Sequence, residues 1–297
     1  MSEDVQITRP AKVLFPDSGI TKGDLIRYYE RIADRILPHL KGRPLMLQRF
    51  PDGVGRPGFI QKAAPAYYPS WIERVTVPKE GGTVSHVVCN DARTLVYLAN
   101  QACVTLHTWL SCAGDLHCPD QMVLDLDPSR ENDIAGVVSG ALALKRILED
   151  LGLPAYVKST GSRGLHVTVP LDGQHDFDFV RAFARQLAGI LVDRDASRFT
   201  LEQHKEKRRG RVFIDVNRNG YAQTAVAAFS VRARAGAPVS LPIDWGELRR
   251  KSFRPDAATM RNVFERLDSM DDPWKNFRRD AVSLKAASRK LGTLHAA

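Results

Sequence analysis

The pattern of apolar and polar positions divides the chain into short strands and amphipathic helices. From Ile20 to Leu37 the apolar residues recur with a helical period. Thr21 fits an N-cap, Asp24 lies three residues on, and Pro38 is expected to stop the helix. Arg43 to Phe50 reads as a strand leading into a Gly/Pro-rich loop at 51–58. Thr83 to Val88 alternates like a second strand, and Asp91 is placed to cap a helix ending at Gln101. An apolar run at 122–126 precedes the best-marked helix: Asp133 caps it, and Ile134, Val137, Val138, Ala141, Leu144, Leu148 and Leu151 form its stripe. Gly152 and Pro154 end it. Tyr156 to Ser159 and Leu165 to Val169 read as strands around a glycine-rich turn, and 176–193 as a second amphipathic helix. Arg211 to Val216 and Gln223 to Arg232 read as strands, and 256–268 as a helix.

This mixture predicts an α+β fold in which strands of several origins bring polar residues to one sheet face. With 297 residues, no repeat and no low-complexity linker, one domain is expected over 1–297. It would comprise an N-terminal lobe (1–110), a core (111–280) and a peripheral tail (281–297). No apolar window approaches the ~20 residues of a membrane span, and the N-terminus lacks the regions of a signal peptide. Four cysteines in such a chain fit a reducing cytoplasm and argue against a disulfide framework. His107, Cys112, His117 and Cys118 are too irregularly spaced for a zinc site, and buried free thiols are expected.

Charge changes the picture. Residues 1–200 hold 23 basic and 23 acidic side chains, whereas the last 97 hold 20 and 11, so the entire +9 excess lies at the C-terminal end. Its clusters, Lys205 to Arg211, Arg249 to Arg254 and Lys275 to Lys290, are rich in arginine, whose planar fork matches phosphate oxygens. A polyanionic partner, nucleic acid, is expected.

Three constellations carry chemistry. Asp125 and Asp127 end the strand Met122-Val-Leu-Asp-Leu-Asp. Residues two apart on a strand share a face, here about 7 Å apart. Paired carboxylates of this kind suit Mg²⁺ or Mn²⁺, and a strand ending in a solvated Asp-Pro turn is the structural alternative. The segment Lys158-Ser-Thr-Gly-Ser-Arg-Gly-Leu-His166 sets hydroxyls, amides and Arg163 around two glycines, with His166 opening the next strand. It is no Walker loop, and a polar hairpin with His166 bonded to a carbonyl is the structural alternative. Asp215, inside the β-branched run Val212 to Val216, needs a cation, either a metal or the nearby Arg218.

Taken in order and spacing, these motifs resemble those of the archaeo-eukaryotic primase superfamily. More narrowly, they resemble the polymerase domain of bacterial end-joining DNA ligases, over nearly the whole length from Lys12 to Trp274. The resemblance implies a primase-like core with mixed and antiparallel sheets flanked by helices. It implies that Asp125, Asp127 and Asp215 hold two Mn²⁺ or Mg²⁺ ions, and that Thr160, Ser162, Arg163, Gly164, His166, Arg218 and Arg232 hold a nucleoside triphosphate. Lys12 and Lys22 match lysines that bind a DNA 5′-phosphate; Arg49 and Phe59 join the DNA contacts, Phe59 stacking beside the template base. The implied activity is nucleotide addition to a DNA 3′-hydroxyl at gaps or breaks, ribonucleotides preferred, alongside a ligase and a Ku-type end-binding protein.

The chain departs from the family in having Thr160 for a serine, Arg163 for a lysine and Ile60 for a second aromatic. The first two keep hydroxyl and charge, whereas Ile60 weakens the template platform. No nucleotidyl-lysine motif of a ligase and no nuclease module is present, so a stand-alone polymerase, or a piece of a longer chain, is expected. The rival readings are a DxD glycosyltransferase, a metal nuclease using the same acids, and a non-catalytic DNA-end-binding module.

Overall fold

The computed structural model describes residues 5–130 and 133–294. The chain forms two compact units, each assembled from separated stretches of sequence. The first comprises residues up to Leu116, Thr224–Ser240 and Ala258–Arg266; the second comprises His117–Gln223, Leu241–Ala257 and the chain from Leu267. Among the described residues no helix is long and apolar enough to cross a membrane.

In the first unit an antiparallel sheet runs in the order Thr224–Val226, Cys103–Trp109, Leu45–Arg49, Phe59–Gln61. Its second strand was not anticipated. Cys103 to Leu106 are buried without interruption, so the strand shows no alternation by which to recognise it. A separate hairpin pairs Arg74–Lys79 with Gly82–Val87.

The helix expected over 20–37 is instead two, Lys22–Arg31 and Ala33–Leu40. Thr21 and Asp24 form the expected capping box. Pro38 lies inside the second helix rather than ending it. Ile36 and Leu40 on that helix are wholly buried, and burial worth about 2 kcal/mol per side chain offsets the one backbone hydrogen bond that proline forgoes.

Two other expected elements are shorter. The strand expected to Arg232 stops at Val226, because Phe229 turns the chain through a φ of 62° and donates its N–H to the Ser240 carbonyl at 2.6 Å. The helix expected over 256–268 is confined to Val263–Ser269, since the Val239 N–H claims the Ala258 carbonyl at 2.8 Å and Thr259 bridges to Pro238.

The second unit is built on a six-stranded mixed sheet ordered Phe199–Thr200, Val212–Asp215, Gln121–Asp127, Leu165–Pro170, Tyr156–Ser159, Pro242–Ile243. Only the first pair is parallel. Helices Ile134–Asp150, capped by Asp133 as expected, and Phe177–Arg194, capped by Asp176, contribute Val137, Ala141, Leu144, Val180, Phe183 and Leu187 to one core. Leu124, Leu126, Val157, Leu165, Val167 and Ile214 enter it from the sheet. Gly140 permits close approach: a Cβ there would lie 2.7 Å from Leu126 Cδ2 and 2.8 Å from the Phe199 ring. The chain beyond 281 adds a helix, Lys285–Leu294, whose Ala287 and Leu291 join the same core.

Candidate active site

Because Leu124 and Leu126 point into the core, strand alternation sends Asp125 and Asp127 to the opposite face of the sheet. Register then sets their neighbours. Asp215 lies opposite Asp125 on one side, His166 lies opposite Asp125 on the other, and Lys158 lies opposite His166. A row of ionisable side chains, Asp215, Asp125, His166, Lys158, thus crosses four strands. Asp127 stands one step along the same face, opposite Phe213.

Each carboxylate has a cationic neighbour. Arg218 Nε lies 3.6 Å from Asp125 Oδ2 and 3.4 Å from Asp215 Oδ2, bridging them. Arg208 Nη1 donates to Asp127 Oδ2 at 3.2 Å, and Arg163 approaches Oδ1 at 3.7 Å. Asp215 also accepts the Asn217 N–H at 2.9 Å. Burial opposes ionisation of Asp125, but His166, Arg218 and Lys158 outweigh it and hold its pKa below the ordinary value. Asp215 goes the other way: burial raises its pKa, the like charge of Asp125 adds to that, and the Asn217 amide and Arg218 only partly offset it. His166 is pushed down to about 4, first by burial and then by Lys158, against the pull of Asp125, so its ring is neutral near pH 7. Its Nε2 sits 3.5 Å from Asp125 Oδ1, while Nδ1 is buried with no hydrogen-bond partner. The carbonyl-bonded histidine of a plain polar hairpin is therefore not what the structure contains.

The turn that precedes His166 is tied across its neck. Thr160 Oγ1 donates to the Gly164 carbonyl at 3.0 Å, and the Gly164 N–H returns to Thr160 Oγ1 at 3.3 Å. Gly161 takes a φ of 62°. At Gly164 a Cβ would lie 2.3 Å from the Leu126 carbonyl oxygen, which only glycine avoids, so the turn lies directly against the strand bearing the acids. Ser162 and Arg163 occupy the half-buried tip.

Three contributors were not assigned from sequence. Lys158 belonged to a quoted motif, but its place in the row depends on cross-strand register. Arg208 lay in a run read as tracking phosphate. Instead it is buried, donates to the Glu202 and Gln203 carbonyls at 3.0 and 2.8 Å, and covers the Phe213 ring at 4.1 Å. Asn219 bonds both the N–H and the carbonyl of Val123 at 2.8 and 2.7 Å, fixing the acid-bearing strand. The basic sequence around Arg208 was the only available signal, and it does not distinguish a buried arginine from exposed ones.

Among the described residues no three His, Cys, Asp or Glu side chains converge as a metal cage. The guanidinium groups stand beside the carboxylates instead. The donor set nevertheless suits a hard divalent cation, since Asp125 and Asp215 already share one bridging positive group and Asp127 has its own. Cys112 and Cys118, expected to be buried thiols, are only half-buried, whereas Cys89 and Cys103 are buried. The His117 ring stacks on Tyr221 at 5.2 Å.

The remaining sequence candidates lie in the first unit. Lys12 pairs with Asp52 at 2.9 Å, while Lys22 is buried and donates to Thr8 Oγ1 and the Asn100 carbonyl at 3.0 and 3.2 Å. Burial, then the nearby Lys12 and Arg9, lower the pKa of Lys22, marking a concentration of positive charge. Arg49 lies 5.3 Å from the centre of the exposed Phe59 ring. Arg232 donates its backbone N–H to Pro238.

A family model described as the LigD primase-polymerase domain matches residues 21–274. The chain is 32% identical over 288 residues to the multifunctional non-homologous end joining protein LigD of Pseudomonas aeruginosa, covering 96% of this chain and 34% of that protein. It is 28% identical over 277 residues to the bifunctional LigD of Bacillus subtilis, covering 93% of this chain and 44% of that protein. The chain thus spans about a third to under half the length of these relatives. Among solved structures, the polymerase domain of Mycobacterium tuberculosis ligase D in complex with DNA superposes with a TM-score of 0.88 at 29% identity, covering 94% of this chain and all of that one.

Proposed function

The chain belongs to the LigD primase-polymerase family, and on that premise we propose that it is a nucleotidyltransferase. It extends a DNA 3′-hydroxyl at gapped or broken ends, in end-joining repair. The observation that carries this reading is the row of Asp215 and Asp125 beside a neutral His166, with Asp127 on the same face and the glycine turn packed against it. Neither a glycosyltransferase nor a passive end-binding module accounts for buried acids arranged in this way within this family.

Asp125, Asp127 and Asp215 would hold two Mn²⁺ or Mg²⁺ ions, which supply activation of the attacking hydroxyl and neutralisation of the triphosphate. The protein's own groups orient the nucleotide. Arg163, Arg218 and Arg232 carry charge for phosphate oxygens, and Thr160, Ser162 and Gly164 form the turn beneath them. With Nε2–H turned towards Asp125, the partnerless Nδ1 of the neutral His166 ring accepts a hydrogen bond from a ligand hydroxyl, and a ring with a pKa of about 4 does so without adding charge. Lys12 and Lys22 receive the 5′-phosphate on the far side of the gap, and Phe59 stacks on the template. Ribonucleotides are the preferred substrate. A ligase seals the product, and a Ku-type protein holds the ends.

The test is extension of a labelled primer on a gapped duplex bearing a downstream 5′-phosphate, with Mn²⁺ and either ribo- or deoxyribonucleotides. Wild type lengthens the primer, faster with ribonucleotides, and Asp125→Ala/Asp127→Ala does not. Shortening of the primer would instead indicate a nuclease, and tight DNA binding without lengthening an end-binding module.

A further inference from the structure

The strand Phe59–Gln61 and the loop after it expose three large side chains close in sequence: Phe59 at 47%, Ile60 at 60% and Tyr67 at 63%. Two of these rings are held by one group. Arg49, itself 8% exposed, donates through Nη1 to the Tyr67 hydroxyl at 3.0 Å and to Gln61 Oε1 at 2.7 Å, and lies 5.3 Å from the Phe59 ring centre. Its Nε and Nη2 are fixed by Gln101 at 2.9 and 3.2 Å. Behind Tyr67 the rings of Tyr68, Tyr97 and Trp71 follow edge to face at 5.2, 5.1 and 5.7 Å, and Arg93 covers Trp71 at 3.9 Å. Tyr67 is therefore exposed yet immobilised at its hydroxyl and along its edge, so that using its ring costs little conformational entropy.

The surroundings indicate what it meets. From 53 to 72 the sequence has no acidic residue, and the exposed Arg56 and Lys62 flank Phe59. An anchored ring amid positive charge is the arrangement that binds single-stranded nucleic acid, whose bases stack and whose phosphates pair with the cations. We propose that Tyr67 is a second stacking ring for an unpaired template base, supplying what Ile60 lacks, with Arg49 setting both Tyr67 and Phe59. This rests on the template-reading role proposed above.

The experiment places 2-aminopurine as the unpaired template base of a two-nucleotide gap and follows its fluorescence and the DNA affinity. Tyr67→Leu is expected to lose quenching and weaken binding about 5- to 150-fold, matching the ~1–3 kcal/mol of one base–aromatic stack. Its affinity for a nicked duplex should be unchanged, and Tyr67→Phe, which keeps the ring but loses the Arg49 hydrogen bond, should still quench, with an affinity between those of wild type and Tyr67→Leu. Wild-type quenching that is lost in Phe59→Leu but unchanged in Tyr67→Leu would overturn this inference alone. Absence of quenching in wild type would overturn both it and the template-reading role.

Discussion

Asp125 and Asp215 stand directly opposite one another on adjacent antiparallel strands, and a single guanidinium, that of Arg218, lies 3.6 and 3.4 Å from their carboxylates. Two like charges so placed disfavour each other's ionisation. Burial and Asp125 both raise the pKa of Asp215, so the site holds negative charge against the preference of its surroundings.

Replacing Asp215 by Asn should therefore separate stability from function. The amide still accepts the Asn217 N–H, while one buried charge disappears. We expect stability in chelator to hold or to rise by about 1 kcal/mol, and primer extension to fall to background. Urea denaturation alongside extension assays checks both; a loss of several kcal/mol would mean that the charge is structural.

The neutral His166 predicts a pH dependence of stability. Its folded pKa of about 4 lies below the ordinary histidine value, so below pH ~6.5 the unfolded chain takes up a proton that the folded site refuses. Stability should fall by about 2 kcal/mol between pH 7.5 and pH 5 in the absence of divalent ions, and the decline should end near pH 4 as the folded ring also protonates. His86, lowered by burial and bonded to the Leu45 carbonyl at 3.0 Å, acts in the same direction. His166→Gln should flatten the profile measured by urea midpoints.

Much of this was legible in the sequence, for reasons that differ from residue to residue. Asp125 and Asp127 declared themselves because alternation alone places both on one face. The caps Thr21, Asp91 and Asp133 were readable because a cap is a local hydrogen bond. Lys158 and Arg208 were not assigned, because their roles depend on strand register and on a loop folding back. The strand Cys103–Trp109 was missed since burial on both faces erases its period. Pro38 misled because a local rule yielded to burial of Leu40.

The core beneath the acids should matter as much as the acids. Leu126 lies between Asp125 and Asp127 and is pressed from behind by the helix at Gly140. Leu126→Ala should cost about 2–5 kcal/mol, and Leu126→Met under about 1.5. Thermal melts rank the two, and equal losses would show that the packing there is loose.

Lys12 and Lys22 should confer the preference for a phosphorylated gap. Replacing each with Met is expected to remove the difference in affinity between 5′-phosphate and 5′-hydroxyl ends. It should also lower the slope of log K against log salt by about one per lysine. Fluorescence anisotropy at several salt concentrations measures this, and an unchanged 5′-phosphate preference would place that contact elsewhere.

The most direct test of the central claim uses one-nucleotide gaps presenting each of the four template bases, with primer length and released pyrophosphate measured together in Mn²⁺. Polymerase action by the Asp125, Asp127 and Asp215 site predicts one added nucleotide complementary to each template base, one pyrophosphate per addition, and neither in Asp215→Asn. Addition that ignores the template base, pyrophosphate without lengthening, or full activity in Asp215→Asn would contradict it.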